Sequence, residues 1–225
     1  MMKRVEHHRL KPSSPFYTML REFCHRSKNL YNHGNFLIRQ AFIKDSKWLR
    51  YGEVDRLLKG DADYPDYREM PTAQTAQQTL RILDKNWTSF FAAIKDWKAR
   101  PEKYKGRPKL PKYKPKDGYF PLVLTNQNCK LKDKVIRFPK VFQGFTVKAA
   151  FASQQKAVFK QARIIPHGGE INLELVYEIP EVEEKADNGT YAAIDIGVDN
   201  LAALAWNTGE RPVLFKGTPL KSVNQ

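Results

Sequence analysis

The hydrophobic period of this chain changes once, and prolines mark the change. From Phe16 to Trp97 the apolar side chains recur mostly at steps of three and four, and after Gly118 they alternate. The first period places apolar groups on one face of a helix and the second on one face of a strand. Between the two stretches stand Pro101, Pro108, Pro111 and Pro115, which hold the chain extended and keep it out of helix. The pattern therefore predicts an α+β chain, helical first and antiparallel afterwards.

In the helical part, residues 3 to 11 alternate weakly and read as a first strand that ends before Pro12. Ser14 is placed to cap a helix with Pro15 at its first position. Phe16, Phe23, Leu30, Leu37 and Ala41 then lie on one long apolar stripe, with Arg21, Lys28 and Arg39 at the remaining positions. A shorter helix is predicted from Lys47 to Lys59, and a loop from Gly60 to Tyr67. The strongest helical pattern begins near Pro71 and runs through Ala76, Leu83, Trp87, Phe91 and Trp97, which predicts packing along the first helix. A second stripe of that helix carries Gln74, Gln78, Arg81 and Lys85. A glutamine amide can pair in two places with an adenine edge and cations hold phosphate, so this face suits DNA; a solvated helix face is the alternative.

Charge narrows the partner. Lys and Arg number 39 against 24 Asp and Glu, a net +15. Such an excess suits a polyanion, because neutralising phosphates releases counterions. The excess is concentrated: between Lys95 and Lys116 there are ten Lys or Arg against Asp96 and Glu102. Tyr104 and Tyr113 alternate with the prolines, and an extended basic ribbon with stacking rings suits a nucleic-acid backbone better than it suits a linker. Lys103, Lys105, Arg107, Lys109, Lys112 and Lys114 are the candidate phosphate contacts. An anionic membrane is a weaker fit, since no apolar run approaches the ~20 residues of a spanning helix. The N-terminus is followed by no signal-peptide core, so a cytoplasmic protein or, in a nucleated cell, a nuclear one is expected; the family resemblance drawn below narrows this to a nucleoid-associated protein of a prokaryote. Cys24 and Cys129 belong to no C-x-x-C pair, which predicts reduced structural thiols.

In the second half, predicted strands are 119–124, 135–138, 145–148, 156–165 and 171–179, the last two joined as a hairpin over 166–170. Several such strands suggest a small barrel. Residues 180–189 carry Glu181, Glu183, Glu184 and Asp187 and read as an acidic linker. An apolar run from Tyr191 to Ala202 follows, with Asp195 between Ala193 and Gly197 on one face and Ile194 and Ile196 on the other. Small neighbours leave room beside the carboxylate for a hydrated metal ion and a phosphate. An acid at a sheet edge, or one opening the Gly197 turn, is the other reading.

The residues 194–202, Ile-Asp-Ile-Gly-Val-Asp-Asn-Leu-Ala, followed by Gly217 to Gln225, resemble the first RuvC motif of the TnpB (OrfB) family of transposon-encoded RNA-guided nucleases, relatives of the type V CRISPR effectors. Asn29 to Asn32, Pro71 to Phe91 and Gly106 to Lys114 resemble, more loosely and in the right order, its two conserved helices and its basic Gly-x-Pro segment. The resemblance implies a wedge-type antiparallel β-barrel with an inserted helical lobe, then the first strands of a ribonuclease H-like (RuvC) domain. The corresponding segments are a first wedge strand at 1–12, a recognition lobe at 13–100, a basic connector at 101–117, the barrel at 118–180, a linker at 181–189 and the nuclease start at 190–225. It implies guide RNA and target double-stranded DNA as partners, and Asp195 as the first of three acids holding two Mg2+ ions.

The family's later Glu and Asp motifs and its zinc ribbon have no counterpart in these 225 residues, so the nuclease domain reads as incomplete and the chain by itself as inactive. An RNA- and DNA-binding module without chemistry, such as a guide-dependent repressor or a regulator of transposition, is the rival reading. A strand-transferring transposase ranks behind both.

Overall fold

The computed structural model describes residues 1–63, 65–181, 187–197 and 200–218. Tyr64, residues 182–186 of the expected acidic linker, Val198 and Asp199, and the segment from Pro219 onward lie outside them. The chain divides into two compact units, Met1–Glu181 and Val182–Gln225. Helices and antiparallel sheet share the first unit, and the second is antiparallel sheet.

In the first unit β1 (Met2–Leu10) is followed by α1 (Tyr17–Asp45), α2 (Tyr51–Gly60) and α3 (Ala73–Ala99). The strands β2 (Leu122–Thr125), β3 (Lys130–Lys132), β4 (Val135–Arg137), β5 (Thr146–Lys148), β6 (Val158–His167) and β7 (Glu170–Ile179) come next. They form a four-stranded sheet of order β1-β7-β6-β2 and a separate three-stranded meander β3-β4-β5. The N-terminal strand thus crosses the whole helical region to pair with the last strand of the unit, in unbroken register from Met2 opposite Ile179 to Leu10 opposite Ile171. Glu6 ties it further, its carboxylate accepting from the backbone N–H of Ala150 at 3.0 Å and of Phe151 at 2.7 Å.

Two helix starts differ from the sequence expectation, each for a local reason. The first long helix begins at Tyr17, because Ser14 closes a turn, its carbonyl accepting from the Tyr17 N–H at 3.0 Å and its hydroxyl from the Phe16 N–H at 3.4 Å. The second begins at Tyr51 rather than Lys47, because Asp84 of α3 accepts the Tyr51 N–H at 3.1 Å and holds Arg50 at 3.2 Å. Trp48, expected inside that helix, instead lies ahead of it with its ring 4.5 Å from Phe91.

The β6–β7 hairpin is longer and tighter than expected. Only Gly168 and Gly169 turn the chain, at φ of +57° and +82°, which suits a two-residue hairpin loop. Pro166 is accommodated inside β6 because β2 covers that strand only from Gln161 to Ile164, so its missing N–H interrupts no bond on that side. The three-residue β3 was too short for alternation to reveal it.

The core runs from the α1–α3 contact into the four-stranded sheet. Leu20, Leu30, Leu80, Leu83, Ile164 and Leu173 are among its fully enclosed side chains. Gly34 sets how closely the helices approach: a Cβ there would meet Leu83 Cδ2 at 2.9 Å and Leu80 Cδ2 at 3.1 Å. Gly34→Val is expected to cost about 1–3 kcal/mol by overpacking, read as a lowered urea midpoint with an unchanged slope. Cys24 and Cys129 are buried free thiols, and burial pushes each up to about 12, which keeps them protonated at neutral pH.

The second unit is a three-stranded sheet of order β10-β9-β8, built from β8 (Ala192–Asp195), β9 (Asn200–Trp206) and β10 (Val213–Lys216). Asn207 anchors the start of β8: its amide accepts from the Tyr191 N–H at 2.7 Å and donates to the Gly189 carbonyl at 2.6 Å.

Candidate nucleic-acid interface

The interface is built on one stripe of α1. Lys28, Asn32, Asn35, Arg39 and Phe42 follow one another at steps of four and three and so share a helix face. The first three hold the basic ribbon by its backbone. Lys28 Nζ donates to the Lys116 carbonyl at 2.6 Å, Asn32 donates to the Lys114 carbonyl at 2.9 Å and accepts its N–H at 2.8 Å, and Asn35 donates to the Pro111 carbonyl at 3.0 Å. Partners rise along α1 as they fall along the ribbon, so the two run antiparallel. Carbonyls near prolines have no strand partner, and α1 supplies one. The ribbon is therefore a bound element and not a tether.

Asn35 also joins α3 to this arrangement. It is fully buried, and its Oδ1 accepts the indole N–H of Trp87, itself fully buried, at 3.0 Å. One side chain thus satisfies a helix on one side and the ribbon on the other. Lys28 was read only as one of the polar positions of the helix and Asn35 was not singled out, although a polar stripe at helical spacing beside the apolar one was there to be read.

Clamping by the backbone leaves the ribbon side chains free. Lys103, Lys105, Arg107, Lys109 and Lys112 are exposed. Lys114 is different: it is half-buried, with its ammonium 5.1 Å from the Tyr31 ring and 5.3 Å from the Phe120 ring. Its ammonium lies against two π faces, a setting different from that of the five exposed side chains. The tyrosines diverge as well. Tyr113 is exposed with Arg39 4.9 Å above its ring, whereas the Tyr104 hydroxyl donates to Asp96 at 2.8 Å.

Asp96 fixes where α3 gives way to the ribbon. Its hydrogen bond with Arg100, then that with Tyr104, holds its carboxyl below the usual aspartate value of 3.8. A pKa depressed by folding stabilises the turn fully above 3.8 and is lost as pH falls through the lower folded value. A carboxyl titration followed by NMR should place Asp96 below 3.8, with the Tyr104 ring signals moving over the same pH range.

The second candidate face is separate. Arg81 and Phe90, nine residues apart, stand about 180° apart around α3, so Gln74, Gln78 and Arg81 face away from the groove beside the ribbon. Gln74 is committed within the fold, its Nε2 donating to Thr125 Oγ1 and to Gln127 at 3.4 Å while its Oε1 accepts the Thr125 N–H at 3.2 Å. An adenine edge would find neither amide hydrogen free, which corrects its expected role. Gln78 is half-buried, and Arg81 is exposed with its guanidinium 4.3 Å from the Tyr51 ring.

Asp195 closes β8, the edge strand of the second unit, opposite Ala203. It is exposed, as are Ile194 and Ile196. Ala193, one of the two small neighbours expected, and Ala203 of β9, which the sequence reading did not name, share its face. Among the described residues no group of three His, Cys, Asp or Glu side chains is placed to hold a metal ion. Asp187 is engaged with the Tyr191 hydroxyl and, at 2.8 Å, with the Gly189 N–H. A two-metal centre needs several converging carboxylates, and the described residues offer one, so they do not make up such a site and no hydrolytic step is derived from them.

The sequence matches no known family model and no curated protein. Among solved structures the chain is similar to a CRISPR-Cas12f ternary complex, over 92% of this chain and 49% of that one, at 13% identity and a TM-score of 0.46. It is also similar to a Cas12f1-sgRNA-target DNA complex, over 98% of this chain and 59% of that one, at 13% identity and a TM-score of 0.41. The chain spans about half to three fifths of the length of these two. No helix among the described residues is long and apolar enough to cross a membrane.

Proposed function

We propose that residues 1–181 bind nucleic acid along the α1-clamped ribbon, and that the strand bearing Asp195 opens a RuvC-type nuclease domain of an RNA-guided DNA endonuclease related to the TnpB family. The observation that carries the binding half is the row of five exposed cations, Lys103 to Lys112, that leads into the stretch whose backbone α1 holds at Pro111, Lys114 and Lys116. Cations fixed before binding lose less conformational entropy on meeting a phosphate chain than cations on a flexible tail. The partners in this reading are a guide RNA and a target DNA duplex, with base pairing between them supplying sequence selection. Arg81 and Gln78 remain the candidate contacts to duplex on the far face of α3.

The nuclease half rests on the Asp195 motif and on the two alanines that leave its carboxylate open. In this reading Asp195 would be one of several acids holding Mg2+, which would supply Lewis-acid chemistry toward a phosphodiester. Among the described residues no second carboxylate joins Asp195, and on those residues alone a second reading is a module that binds without cutting.

The test is a binding titration over a range of salt. RNA is expected to co-purify with the chain, and five phosphate contacts predict a slope of log K against log salt of about −3.5 to −4.5. A nucleic-acid-free preparation at low salt, or a flat salt dependence, would overturn the binding half. Asp195→Ala should leave that binding unchanged. Mg2+-dependent DNA cleavage by the wild type that this substitution abolishes would overturn the module reading.

A further inference from the structure

The ribbon does not lie flat on the helices. Between it, α1 and α3 opens a cavity of about 770 Å³, within the size range of small-ligand sites. Its apolar lining comes from Phe42 of α1, Phe90, Phe91 and Ile94 of α3, and Pro108 and Leu110 of the ribbon. The rings form one cluster, with Phe42 5.4 Å and Phe90 5.1 Å from Phe91. The remaining lining is cationic: Arg39 and Lys98 on the helical side, Arg107, Lys109 and Lys112 on the ribbon side. Among the described residues no acid lines the cavity. A half-buried aromatic floor with cations on two opposite sides is an unusual surface for a chain to leave open, since both features gain from a ligand that is flat, apolar on its faces and flanked by negative charge.

We propose that this cavity receives a base turned out of a single-stranded nucleic acid, while the phosphates on either side of that nucleotide rest on the two cationic rims. The inference rests on the reading of the basic ribbon as a nucleic-acid surface and specifies what that surface binds. A paired base offers no free face, so the ligand is single-stranded. Alternate ribbon residues such as Arg107 and Lys109 stand about 6.6–7 Å apart in an extended chain, comparable to successive phosphates along a strand. An acyl chain would also suit the apolar floor, but a lipid carries its charge at one end, whereas these cations flank the cavity on both sides. The lining side chains are donors or hydrocarbon, with no acceptor among them, so the base is held by its face and several base types are accepted.

The experiment compares a short single-stranded thymidylate with a strand of the same length made of abasic sugars, which keeps the phosphates and removes the rings. Bound to the full chain and followed by fluorescence anisotropy, the intact strand is expected to bind about tenfold more tightly. Ile94→Glu and, independently, Leu110→Glu should each remove most of that ratio; the added charge repels both strands alike and cancels in the comparison. Leu110 lies on the ribbon, so its variant serves if the helix substitution disturbs folding. Equal, salt-sensitive binding of the two strands would overturn the base cavity and leave the basic-ribbon reading standing, and no binding of either would overturn both. A ratio that survives both substitutions, or phosphatidylglycerol vesicles that bind in a variant-sensitive way while the strands do not, would also overturn the proposal.

Discussion

Replacing Lys103, Lys105, Arg107, Lys109 and Lys112 together by glutamine is expected to lower affinity for single-stranded nucleic acid by on the order of 10³-fold at 0.1 M salt, and to remove about 3.5 from the magnitude of the salt slope. Both effects have one origin, since each neutralised contact releases one fewer counterion. All five side chains are exposed, so the unfolding midpoint should barely move. Lys114→Gln separates the two roles within the same segment. Its ammonium faces the Tyr31 and Phe120 rings, so that variant should lose about 1 kcal/mol of stability and little of the salt slope. Anisotropy titrations at several salt concentrations and urea unfolding of both variants check the pair of expectations.

Asn35→Leu is expected to destabilise the first unit by about 2–4 kcal/mol, although leucine is close in size and more apolar. The Trp87 N–H is fully buried and has Asn35 Oδ1 as its acceptor, so it would be left without one. The Pro111 carbonyl would lose its donor as well, but it lies nearer solvent and can recover water. The loss should therefore appear at two levels. Global stability falls, read as a lower urea midpoint, and amide exchange rises in the ribbon near Pro111 before it rises in the four-stranded sheet. A double variant with Trp87→Phe tests the cause, because removing both partners should cost less than the sum of the two single changes.

The helices and most strands were legible because apolar period is a local property. Phe16 to Ala41 and Ala76 to Trp97 each carry enough repeats to outweigh any single residue. Their starts were less legible, since Asp84 fixes the beginning of α2 from a position more than thirty residues away, which spacing within residues 47–60 cannot reveal. The pairing of β1 with β7 is equally non-local, and no pattern within residues 2–10 names its partner.

The candidate site divides in the same way. Composition alone located the basic ribbon. It could not separate Lys114 from Lys112, because the distinction is which side of the ribbon meets α1. Gln74 illustrates the converse error: an exposed-looking amide at helical spacing turned out to be held by Thr125, a residue joined to it only by the fold. Asp195 was identified by its small neighbours and by motif, and the sheet places Ala193 and Ala203 beside it. The cavity was not legible at all, since Phe42, Phe90 and Ile94 have the spacing of ordinary core residues and only the path of the ribbon leaves them partly uncovered.

The central claim is that nucleic acid lies along the ribbon beside α1, and photo-crosslinking tests it most directly. A single-stranded oligonucleotide carrying a photoreactive base, bound to the full chain and irradiated, should leave its crosslinks on peptides containing Arg107 to Tyr113 and on Phe90 to Lys98 of α3. Crosslinks confined to the outer face of β1–β7, or spread evenly over the chain, would contradict the account.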